Sequence, residues 1–529
     1  MTKILMTYSS TEGMEKLLNN SEFKIDVHPK PSPEEYLKIV AGSDYDVLLL
    51  RSEVKVTSDI IKAGKNLKLI IRAGTGVDNI DSKTATEYGV IVMNVPGGNT
   101  ISACEHTIAM MLALARNVPQ ASGLLKTGVW KKEKFLGTEL QGKTLGVVGL
   151  GRIGREVAKR AQSFEMRIIG YDPFVSEDFA KTINIELKTL DELFAESDFI
   201  TLHVPKSDST KYMINSETIK KMKEGVRIIN CARGGIIDEI ALCEAIKSGY
   251  VKGAAIDVFE KEPAPPDHPL FKLDNVIVTP HLGASTEEAQ VKIAQEVSDM
   301  ILDFFTNNIV CNAINMPSID RETYKKIKPY SDLLEKMGLL QAQLIEGGIK
   351  EILLQYNGEI SRSNLSVLTL SYLKGLLSPI LDIKVNFVNA GLLARERGIK
   401  IKEIKNEQAE DFTSLIDAKV ITDSEQLNVC GTVFADQFPR IVNLRDLDVD
   451  VRPQGCMIIL ENADTPGIIG TVGTILGKNK INIANMQVGR RQSGGDAITI
   501  VNVDTCPSNQ VIDEINKIKG VKKAKFVQL

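Results

Sequence analysis

Residues 144–154 read TLGVVGLGRIG, an apolar strand followed at once by glycines at positions 149, 151 and 154. A dinucleotide fold needs glycine at these places for the tight turn, for close approach of the backbone to a pyrophosphate, and for packing of helix on strand. The free N–H groups at the start of the next helix, predicted over 152–163, then face the diphosphate. Gly149, Gly151 and Gly154 therefore predict a Rossmann-type βαβ unit, and a tight strand-to-helix turn without a ligand is the alternative.

The next predicted strand, RIIGYD, ends in Asp172, eighteen residues beyond Gly154. A carboxylate at this place accepts hydrogen bonds from the ribose hydroxyls of the dinucleotide. It also repels a 2′-phosphate. Asp172 therefore favours NAD over NADP as the cofactor.

Two arrays of short apolar strands alternate with helical patterns along the first 317 residues. Continuous apolar strands separated by helices are typical of parallel sheets covered on both faces. The helical patterns at 102–116 and 285–305 lie at the two crossings between the arrays. We expect an α/β fold of two doubly wound, Rossmann-like domains, the second inserted in the first. The first comprises residues 1–97 and 290–317 and the second residues 98–289.

The rest of the chain has a different pattern of predicted strands and helices. Residues 318–452 mix strands and helices without clusters that look catalytic, which predicts an α+β intervening domain. Residues 453–529 show the order strand, helix, strand, strand, helix, strand. That βαββαβ order predicts a small ferredoxin-like domain.

Composition excludes several classes of function. The 64 Lys and Arg against 68 Asp and Glu give a net charge of −4, so the surface has no bulk attraction for nucleic acid. The longest apolar stretch, residues 108–115, is far shorter than the ~20 residues that span a bilayer, so no membrane partner is expected. Seven cysteines without CxxC or metal-ligand spacing predict reduced thiols, a cytoplasmic protein and no metal site.

Three polar residues follow strands of the second array, where open α/β sheets bind their ligands. Arg233 lies in NCARGG, Glu262 in EKEP and His281 in PHLGAST. A guanidinium can hold a substrate carboxylate and polarise the neighbouring oxygen, while an imidazole takes the hydroxyl proton. A carboxylate on the other ring nitrogen fixes the tautomer and stabilises imidazolium. The set predicts hydride transfer at a carbinol carbon.

Each of these residues also has a plainer interpretation. An arginine after a strand is commonly a surface ion-pair partner, and a single histidine is commonly a packed, hydrogen-bonded ring. Glu260 lies so near Glu262 that spacing alone does not choose between them.

Taken together, GLGRIG with Asp172, NCARGGIID, AIDVFEKEP and PHLGAST resemble the D-isomer-specific 2-hydroxyacid dehydrogenases. The stretches 72–81, 94–100 and 135–158 are similar to the long members of that family nearly throughout. These members oxidise 3-phosphoglycerate with NAD to 3-phosphohydroxypyruvate, the first step towards L-serine. The resemblance covers the whole chain, including an intervening domain over 318–452 and a C-terminal ACT domain over 453–529.

Carried over residue by residue, the resemblance implies that Arg233, Glu262 and His281 are the catalytic set. It implies that residues 98–289 form the NAD-binding domain and that the discontinuous domain binds substrate. It also implies a set of cofactor contacts beside the three glycines and Asp172: Thr75, Arg152, Ile153, Cys231, Ala232, Arg233, Asp257, His281, Gly283 and Ala284.

A phosphorylated substrate needs cations in an otherwise acidic protein. Arg51 and Arg72 end two strands of the first array, and Arg72 comes just before the glycine-rich loop at Gly74. We expect both arginines to face the cleft between the domains as substrate cations, with Gly74, Asn99, Thr100, Arg233 and His281 also at the substrate. The alternative is that both pair with surface carboxylates.

The C-terminal domain resembles ACT domains that bind an amino acid. Asp464 lies in a DxPG turn before a helix and Asn482 lies at the start of the next strand. These two residues match effector positions, which implies feedback inhibition by L-serine. A purely structural dimerisation module is the alternative. The family forms homodimers or homotetramers, and Trp130 lies in a segment suited to contact a partner subunit.

Two other functions stay open at this point. One is a related dehydrogenase acting on glycerate, lactate or another 2-hydroxy acid. The other is an NAD-sensing scaffold or corepressor built on the same fold. The ACT-like domain and the two cleft arginines argue against the first, and the intact set Arg233, Glu262 and His281 argues against the second.

Overall fold

The computed structural model describes residues 1–307, 309–317, 321–409 and 411–529. Within these ranges the chain forms four sheets of five, seven, six and four strands. The expected boundary at 317/318 falls next to residues 318–320, which lie outside the described residues. None of the helices in the described part of the chain combines the length and the low charge that crossing a lipid bilayer requires.

The first sheet is wholly parallel and has the order β2-β1-β3-β4-β5, a doubly wound arrangement. Its strands are β1 (Thr2–Met6), β2 (Phe23–Val27), β3 (Val47–Leu50), β4 (Leu69–Arg72) and β5 (Ile91–Asn94). The helices between them are α1 (Glu15–Leu18), α2 (Pro33–Ala41), α3 (Ser58–Ala63) and α4 (Ser82–Glu87). Helix α2 begins where the sequence dictates, since Ser32 and Glu35 form a capping box and Pro33 takes the first helical position.

The second sheet is also parallel, with the order β12-β11-β10-β9-β6-β7-β8. Its strands are β6 (Thr144–Val148), β7 (Arg167–Tyr171), β8 (Glu186–Leu187), β9 (Phe199–Leu202), β10 (Val226–Asn230), β11 (Val251–Ile256) and β12 (Val276–Val278). Its helices are α5 (Thr100–Arg116), α6 (Val118–Lys126), α7 (Arg152–Gln162), α8 (Glu177–Thr182), α9 (Leu190–Glu196), α10 (Ser216–Ile219) and α11 (Glu239–Lys247). The strand order reverses between β6 and β9, which is where such sheets bind dinucleotides.

The chain crosses between these two units twice. Helix α5 packs Cys104, Ile108 and Met111 into the core of the second sheet. The next long helix, α12 (Glu287–Asn307), packs against the first sheet through its apolar stripe, and the segment after it pairs Ala313 with Met93. The predicted architecture of two doubly wound units, one inserted in the other, is confirmed.

The intervening region forms a mixed sheet with the order β14-β13-β15-β16-β17-β18, in which only β13 and β14 run parallel. Its helices are α13 (Arg321–Leu344), α14 (Leu365–Leu377) and α15 (Ala390–Glu396). Its strands are β13 (Ile349–Gly358), β14 (Lys400–Asn406), β15 (Ser414–Thr422), β16 (Gln426–Phe434), β17 (Phe438–Leu444) and β18 (Leu447–Val451).

The C-terminal unit has the predicted ferredoxin-like order, with an antiparallel sheet β20-β21-β19-β22. Its elements are β19 (Cys456–Ala463), α16 (Ile468–Lys478), β20 (Ile483–Arg490), β21 (Asp496–Val503), α17 (Asn509–Asn516) and β22 (Val521–Gln528). The strands alternate their faces, as the twofold period of a strand requires. Ile458 and Val501 lie under the two helices, whereas Ile459 and Ile500 join the core of the intervening region.

The loop before α15 ties the intervening region to the first sheet. The amide Nδ2 of Asn386 donates to the carbonyl of Gly89 at 2.6 Å. Val388 is buried in the same apolar cluster as β1, β3 and α12.

The cysteine prediction is wrong for one pair. Cys456 at the start of β19 and Cys506 just beyond β21 are joined as a disulfide, with Cα atoms 5.2 Å apart. The two strands are antiparallel neighbours, so residues 50 positions apart in sequence come together. Cys104, Cys231, Cys243 and Cys430 carry free thiols.

Candidate active site

A cleft of about 610 Å³ lies between the carboxyl ends of the strands of the two parallel sheets. Its walls are the segments that follow β3, β4 and β5 on one side and β6, β9, β10 and β12 on the other. Most of the predicted site residues line it: Arg51, Arg72, Gly74, Thr75, Asn99, Gly151, Arg152, Ile153, Cys231, Ala232, Arg233, His281, Gly283 and Ala284.

Other predicted residues do not line the cleft. Gly149, Gly154 and Asp172 belong to the turn that supports it, and Asp257 and Glu262 lie behind the residues that face it. Thr100 begins α5 and lines a separate surface depression.

The glycine turn has the shape that a diphosphate needs. Gly149 has φ +94°, and a Cβ there would lie 2.6 Å from the carbonyl oxygen of His203. A Cβ on Gly154 would overlap the carbonyl of Gly149, so the helix packs closely on the turn. Gly151 is different: it is the N-cap of α7, and a Cβ added there would meet no atom within 4 Å. Gly149 and Gly154 are required for packing, whereas Gly151 leaves open space at a helix N-terminus.

Asp172 closes the other side of the same turn. Its Oδ2 accepts a hydrogen bond from the backbone N–H of Leu150 at 2.8 Å, and its Oδ1 accepts from Phe174 at 2.9 Å. The carboxylate is therefore fixed directly beside the glycines, as a ribose-binding group must be. The residues present fit a bound NAD.

His281 and Glu262 form a hydrogen-bonded pair, with 2.7 Å between Nδ1 and Oε2. Glu262 also accepts from the backbone N–H of Phe259 at 3.0 Å. Burial raises the pKa of Glu262, but the hydrogen bonds from His281 and Phe259 outweigh it and hold the pKa below its ordinary value. An ionised carboxylate on Nδ1 places the ring proton there and leaves Nε2 for a substrate. Glu262 rather than Glu260 therefore supports the imidazole, while Glu260 accepts from the hydroxyl of Tyr212.

The loop that carries His281 is held by Asp257. His281 has φ +57°, a strained conformation for a residue with a side chain, and its N–H donates to the Asp257 carbonyl at 2.8 Å. The fully buried Asp257 carboxylate accepts from the N–H groups of Leu282 and Gly283 and from the hydroxyl of Thr279. Burial raises the pKa of Asp257, but hydrogen bonds led by those from His106 and Thr279 hold it below its ordinary value. In this structure Asp257 positions the histidine loop.

His106, Cys231 and Asp257 each place one potential ligand atom within 4.8 Å of the other two. Hydrogen bonding accounts for this cluster. Asp257 already accepts from Thr279, Leu282 and Gly283, and its Oδ1 is 3.2 Å from Nε2 of His106.

Arg233 is held from both sides of the cleft. Its Nε donates to Oδ2 of Asp78 at 2.9 Å and its Nη1 to the carbonyl of Ala232 at 2.7 Å. The buried Asn230 shapes this loop, since it donates to the Arg233 carbonyl and accepts from the N–H of Ala232. Sequence reasoning missed both Asp78 and Asn230, although both lie in quoted motifs.

Two further arginines face the cleft from the first sheet. The guanidinium of Arg51 lies 4.2 Å from the ring centre of Tyr8. The Nε of Arg72 is buried and has no hydrogen-bond partner among the described residues. Burial, with the nearby charge of Arg233, lowers the pKa of Arg72 to about 10. Neither Arg51 nor Arg72 forms an ion pair with any described carboxylate, which leaves both charges for an anion in the cleft.

His203 lines the cleft beside the glycine turn. Its Nε2 lies 3.0 Å from the hydroxyl of Thr201, and burial lowers its pKa to about 4. The ring is therefore neutral at physiological pH and does not add charge to the cofactor side of the cleft.

The two predicted effector residues lie in the C-terminal unit, away from this cleft. Asp464 accepts from Nη1 of Arg490 at 2.6 Å and from the N–H of Gly494 at 3.0 Å. These contacts, led by the Gly494 N–H, hold the pKa of Asp464 below its ordinary value. Asn482 donates to Asp504 at 2.6 Å.

Comparison with known proteins gives three matching family models. Residues 108–283 match the NAD binding domain of D-isomer specific 2-hydroxyacid dehydrogenases. Residues 326–445 match the D-3-phosphoglycerate dehydrogenase intervening domain, and residues 457–520 match the ACT domain.

Full-length relatives agree with these family matches. The D-3-phosphoglycerate dehydrogenase of Archaeoglobus fulgidus is 43% identical over 529 residues, which cover all of both chains. That of Bacillus subtilis is 42% identical and covers 98% of each chain. Among solved structures, a D-lactate dehydrogenase from Aquifex aeolicus complexed with NAD and lactic acid is 30% identical with a TM-score of 0.53, covering 60% of this chain and 100% of that one. A glyoxylate reductase from Paecilomyes thermophila is 28% identical with a TM-score of 0.55, covering 59% and 98%.

Proposed function

The chain belongs to the D-3-phosphoglycerate dehydrogenase family, and we propose that its interlobe cleft carries out the family's reaction with the residues described above. The protein is an NAD-dependent oxidoreductase acting on a CH–OH group. It oxidises 3-phosphoglycerate to 3-phosphohydroxypyruvate, the first step of L-serine biosynthesis.

The proposed acid–base group is Nε2 of His281. In the oxidation direction Nε2 takes the proton of the substrate's 2-hydroxyl while the C2–H bond breaks and the carbonyl forms. Bound NAD supplies the acceptor for the hydride. Glu262 keeps Nδ1 protonated and stabilises the imidazolium that results. In the reverse direction the same nitrogen returns the proton.

Arg233 is proposed to bind the substrate carboxylate and the reacting oxygen. A guanidinium is always charged and offers several N–H donors in one plane, which suits a carboxylate beside a developing charge. Arg51 and Arg72, with Gly74 and Asn99 beside them, are proposed to bind the phosphate. The sequence also predicts Thr100 as a substrate contact, and in the structure this residue lines a neighbouring depression.

The cofactor is proposed to lie along the second sheet. Gly151, Arg152 and Ile153 at the start of α7 would hold the diphosphate, and Asp172 the ribose hydroxyls. The remaining proposed contacts line the same cleft: Thr75, Cys231, Ala232, Arg233, His281, Gly283 and Ala284. Gly149, Gly154 and Asp257 act by holding the turn and the histidine loop in place.

The observation that carries this proposal is the convergence of the His281–Glu262 pair, Arg233 and the open glycine at 151 on one cleft. The test is NADH oxidation with phosphohydroxypyruvate, run beside glyoxylate, pyruvate and hydroxypyruvate. We expect the phosphorylated acid to have the highest kcat/KM. A preference for an unphosphorylated acid would indicate a glycerate- or lactate-type enzyme, and NADH binding without turnover would indicate a scaffold or corepressor.

The domain limits proposed from the sequence fit the arrangement of the sheets. We propose a substrate-binding domain over 1–97 and 290–317, an NAD-binding domain over 98–289, an intervening domain over 318–452 and an ACT domain over 453–529. We also propose a cytoplasmic location for the protein.

L-Serine is the proposed effector, bound at the ACT domain near Asp464 and Asn482. Both side chains are held by local partners, Arg490 and Asp504, that an amino acid's charged groups would have to replace. Titration with L-serine should inhibit the enzyme and raise its melting temperature. If serine at up to millimolar concentration produces neither inhibition nor a thermal shift, the ACT domain is a structural module.

The proposed assembly is a homodimer or homotetramer. Helix α6 has no buried residue, and the large apolar side chains near it are exposed, with Trp130 80% and Leu136 92% accessible. Such a patch on one chain is typical of a surface that a second copy covers. Sedimentation at micromolar concentration, with Trp130→Ser as the variant, tests this assignment.

A further inference from the structure

We propose that Asp78 is a positioning residue for the reaction: its carboxylate reaches from the substrate-binding lobe to the guanidinium of Arg233 in the NAD-binding lobe and orients it for substrate. This inference rests on the role proposed above for Arg233. It assigns a role in the reaction to a residue outside the set Arg233, Glu262 and His281.

The contact is specific in its geometry. Asp78 lies in the loop between β4 and α4, whereas Arg233 lies 155 residues later, just beyond β10. Asp78 accepts from Nε at 2.9 Å, and Nη1 donates to the carbonyl of Ala232 at 2.7 Å. With Nε and Nη1 engaged in this way, Nη2 is the nitrogen whose donors both remain for a substrate carboxylate.

The neighbouring glycine shows how closely the guanidinium is enclosed. A Cβ on Gly76 would overlap Nη2 of Arg233. Only glycine at position 76 leaves room for the guanidinium of Arg233 beside the Asp78 carboxylate. The loop at 74–78 is therefore shaped around Arg233, although the two lie in different lobes.

The position of the ion pair separates it from an ordinary surface pair. Of the ion pairs among the described residues, Arg233–Asp78 is the one that joins residues 1–97 to residues 98–289. Arg51, Arg72 and Arg233 all line one cleft, so their charges repel one another. A carboxylate at Asp78 offsets that repulsion and holds Arg233 beside Arg72. Because the two partners lie on opposite lobes, the orientation of Arg233 depends on the lobes being together.

The experiment compares Asp78→Ala, Asp78→Asn and Glu186→Ala in the full-length protein. Glu186 is a matched control, because it also pairs with an arginine, Arg167, and its side chain is 49% accessible against 51% for Asp78. We expect Asp78→Ala to lower kcat by about 10- to 100-fold, the loss that a misplaced catalytic group causes. The Kd for NADH should stay within about twofold of the wild-type value, since Asp78 lies outside the glycine turn. Asp78→Asn keeps an oxygen that accepts from Nε but loses the negative charge, so it should recover part of the kcat that Asp78→Ala loses.

A double-variant cycle separates positioning from a general structural role. Lysine has no Nε–H in a guanidinium plane to be held, so Asp78→Ala should cost little further in an Arg233→Lys background. An equal loss in both backgrounds, a loss matched by Glu186→Ala, or a higher KM at unchanged kcat would each overturn the proposal. Wild-type turnover of phosphohydroxypyruvate is measured first. Its absence would contradict the proposed function, whereas a wild-type rate with an unaffected Asp78→Ala variant would contradict only this inference.

Discussion

The cleft between the two parallel sheets and the junction between the intervening and ACT units are built in opposite ways. On the two sides of the cleft the lobes keep separate apolar cores, and the ion pair Arg233–Asp78 crosses between them. At the junction, residues such as Met457, Ile459 and Ile500 of the ACT sheet belong to the same buried cluster as α13 and β15. A polar interface between cores permits opening, whereas a continuous core makes two units move as one body.

The largest effect is expected in the cleft, at the proton-transfer group. His281→Asn keeps a polar side chain but cannot carry a proton, so kcat should fall by about 10³-fold. The Kd for NADH, measured by fluorescence, should be nearly unchanged. His28→Asn, on an exposed histidine outside the cleft, is the control. A loss below threefold for His281→Asn would show that the cleft does not perform acid–base chemistry.

The second prediction concerns the apolar junction. Ile500 is 1% exposed and contributes to the shared core, so Ile500→Ala should lower the free energy of unfolding by about 2–5 kcal/mol. Calorimetry should show the intervening and ACT units unfolding in one shifted transition. Ile469→Ala, at a 39% exposed position of α16, should change stability far less. Two separate transitions would show that the junction does not join the intervening and ACT units into one body.

The third prediction tests whether the positive charge of Arg51 in the cleft binds the substrate phosphate. Arg51→Ala should raise KM for phosphohydroxypyruvate by about 10- to 100-fold, as loss of a hydrogen-bonded charge pair does. The KM for unphosphorylated hydroxypyruvate should change much less. Arg395→Ala, at an exposed arginine of α15, serves as the control. Equal effects on both substrates would refute the assignment of Arg51 to the phosphate.

The smallest effect is expected at the rim of the junction. Hydrogen bonds from Lys523 and Lys525 lower the pKa of Glu346 to about 2. Because the folded state binds its proton less readily, the pair stabilises the fold above the ordinary pKa of 4.5, and this contribution is lost as pH falls towards 2. Glu346→Gln should therefore lower the melting temperature slightly at pH 7 and not at pH 2. The difference should also shrink in 1 M salt, because the Glu346 carboxylate is exposed to solvent. A difference that persists in acid would contradict the pairing.

The features that sequence predicted are those with local causes. The glycine spacing at 149–154 and the position of Asp172 depend on a single βαβ unit. Arg51 and Arg72 lie at the carboxyl ends of strands of the first sheet, and Arg233 and His281 follow strands of the second, where parallel sheets bind their ligands. The ACT elements have the predicted order because each strand and helix has its own period. Strand β8 has only two residues, which are too few to show a hydrophobic period in the sequence.

The features that sequence did not predict depend on long-range contacts. Asp78 and Arg233 meet only because two lobes face each other, and the sequence of neither loop indicates which residue its side chain will contact. Cys456 and Cys506 pair only because β19 and β21 are neighbours in the sheet. Asp257 lies in a recognised motif, but its hydrogen bonds to the histidine loop depend on how β11 and β12 sit side by side.

The loop at Asn386 and Val388 has a consequence for shortened versions of the protein. Val388 fills a place in the interior of the unit built on the first parallel sheet, and the side chain of Asn386 donates to the carbonyl of Gly89. Cutting the chain after residue 317 would therefore leave a hole in that lobe and an amide oxygen without its donor. A two-lobed fragment needs a replacement side chain at this spot before its catalytic behaviour can be compared fairly with that of the complete polypeptide.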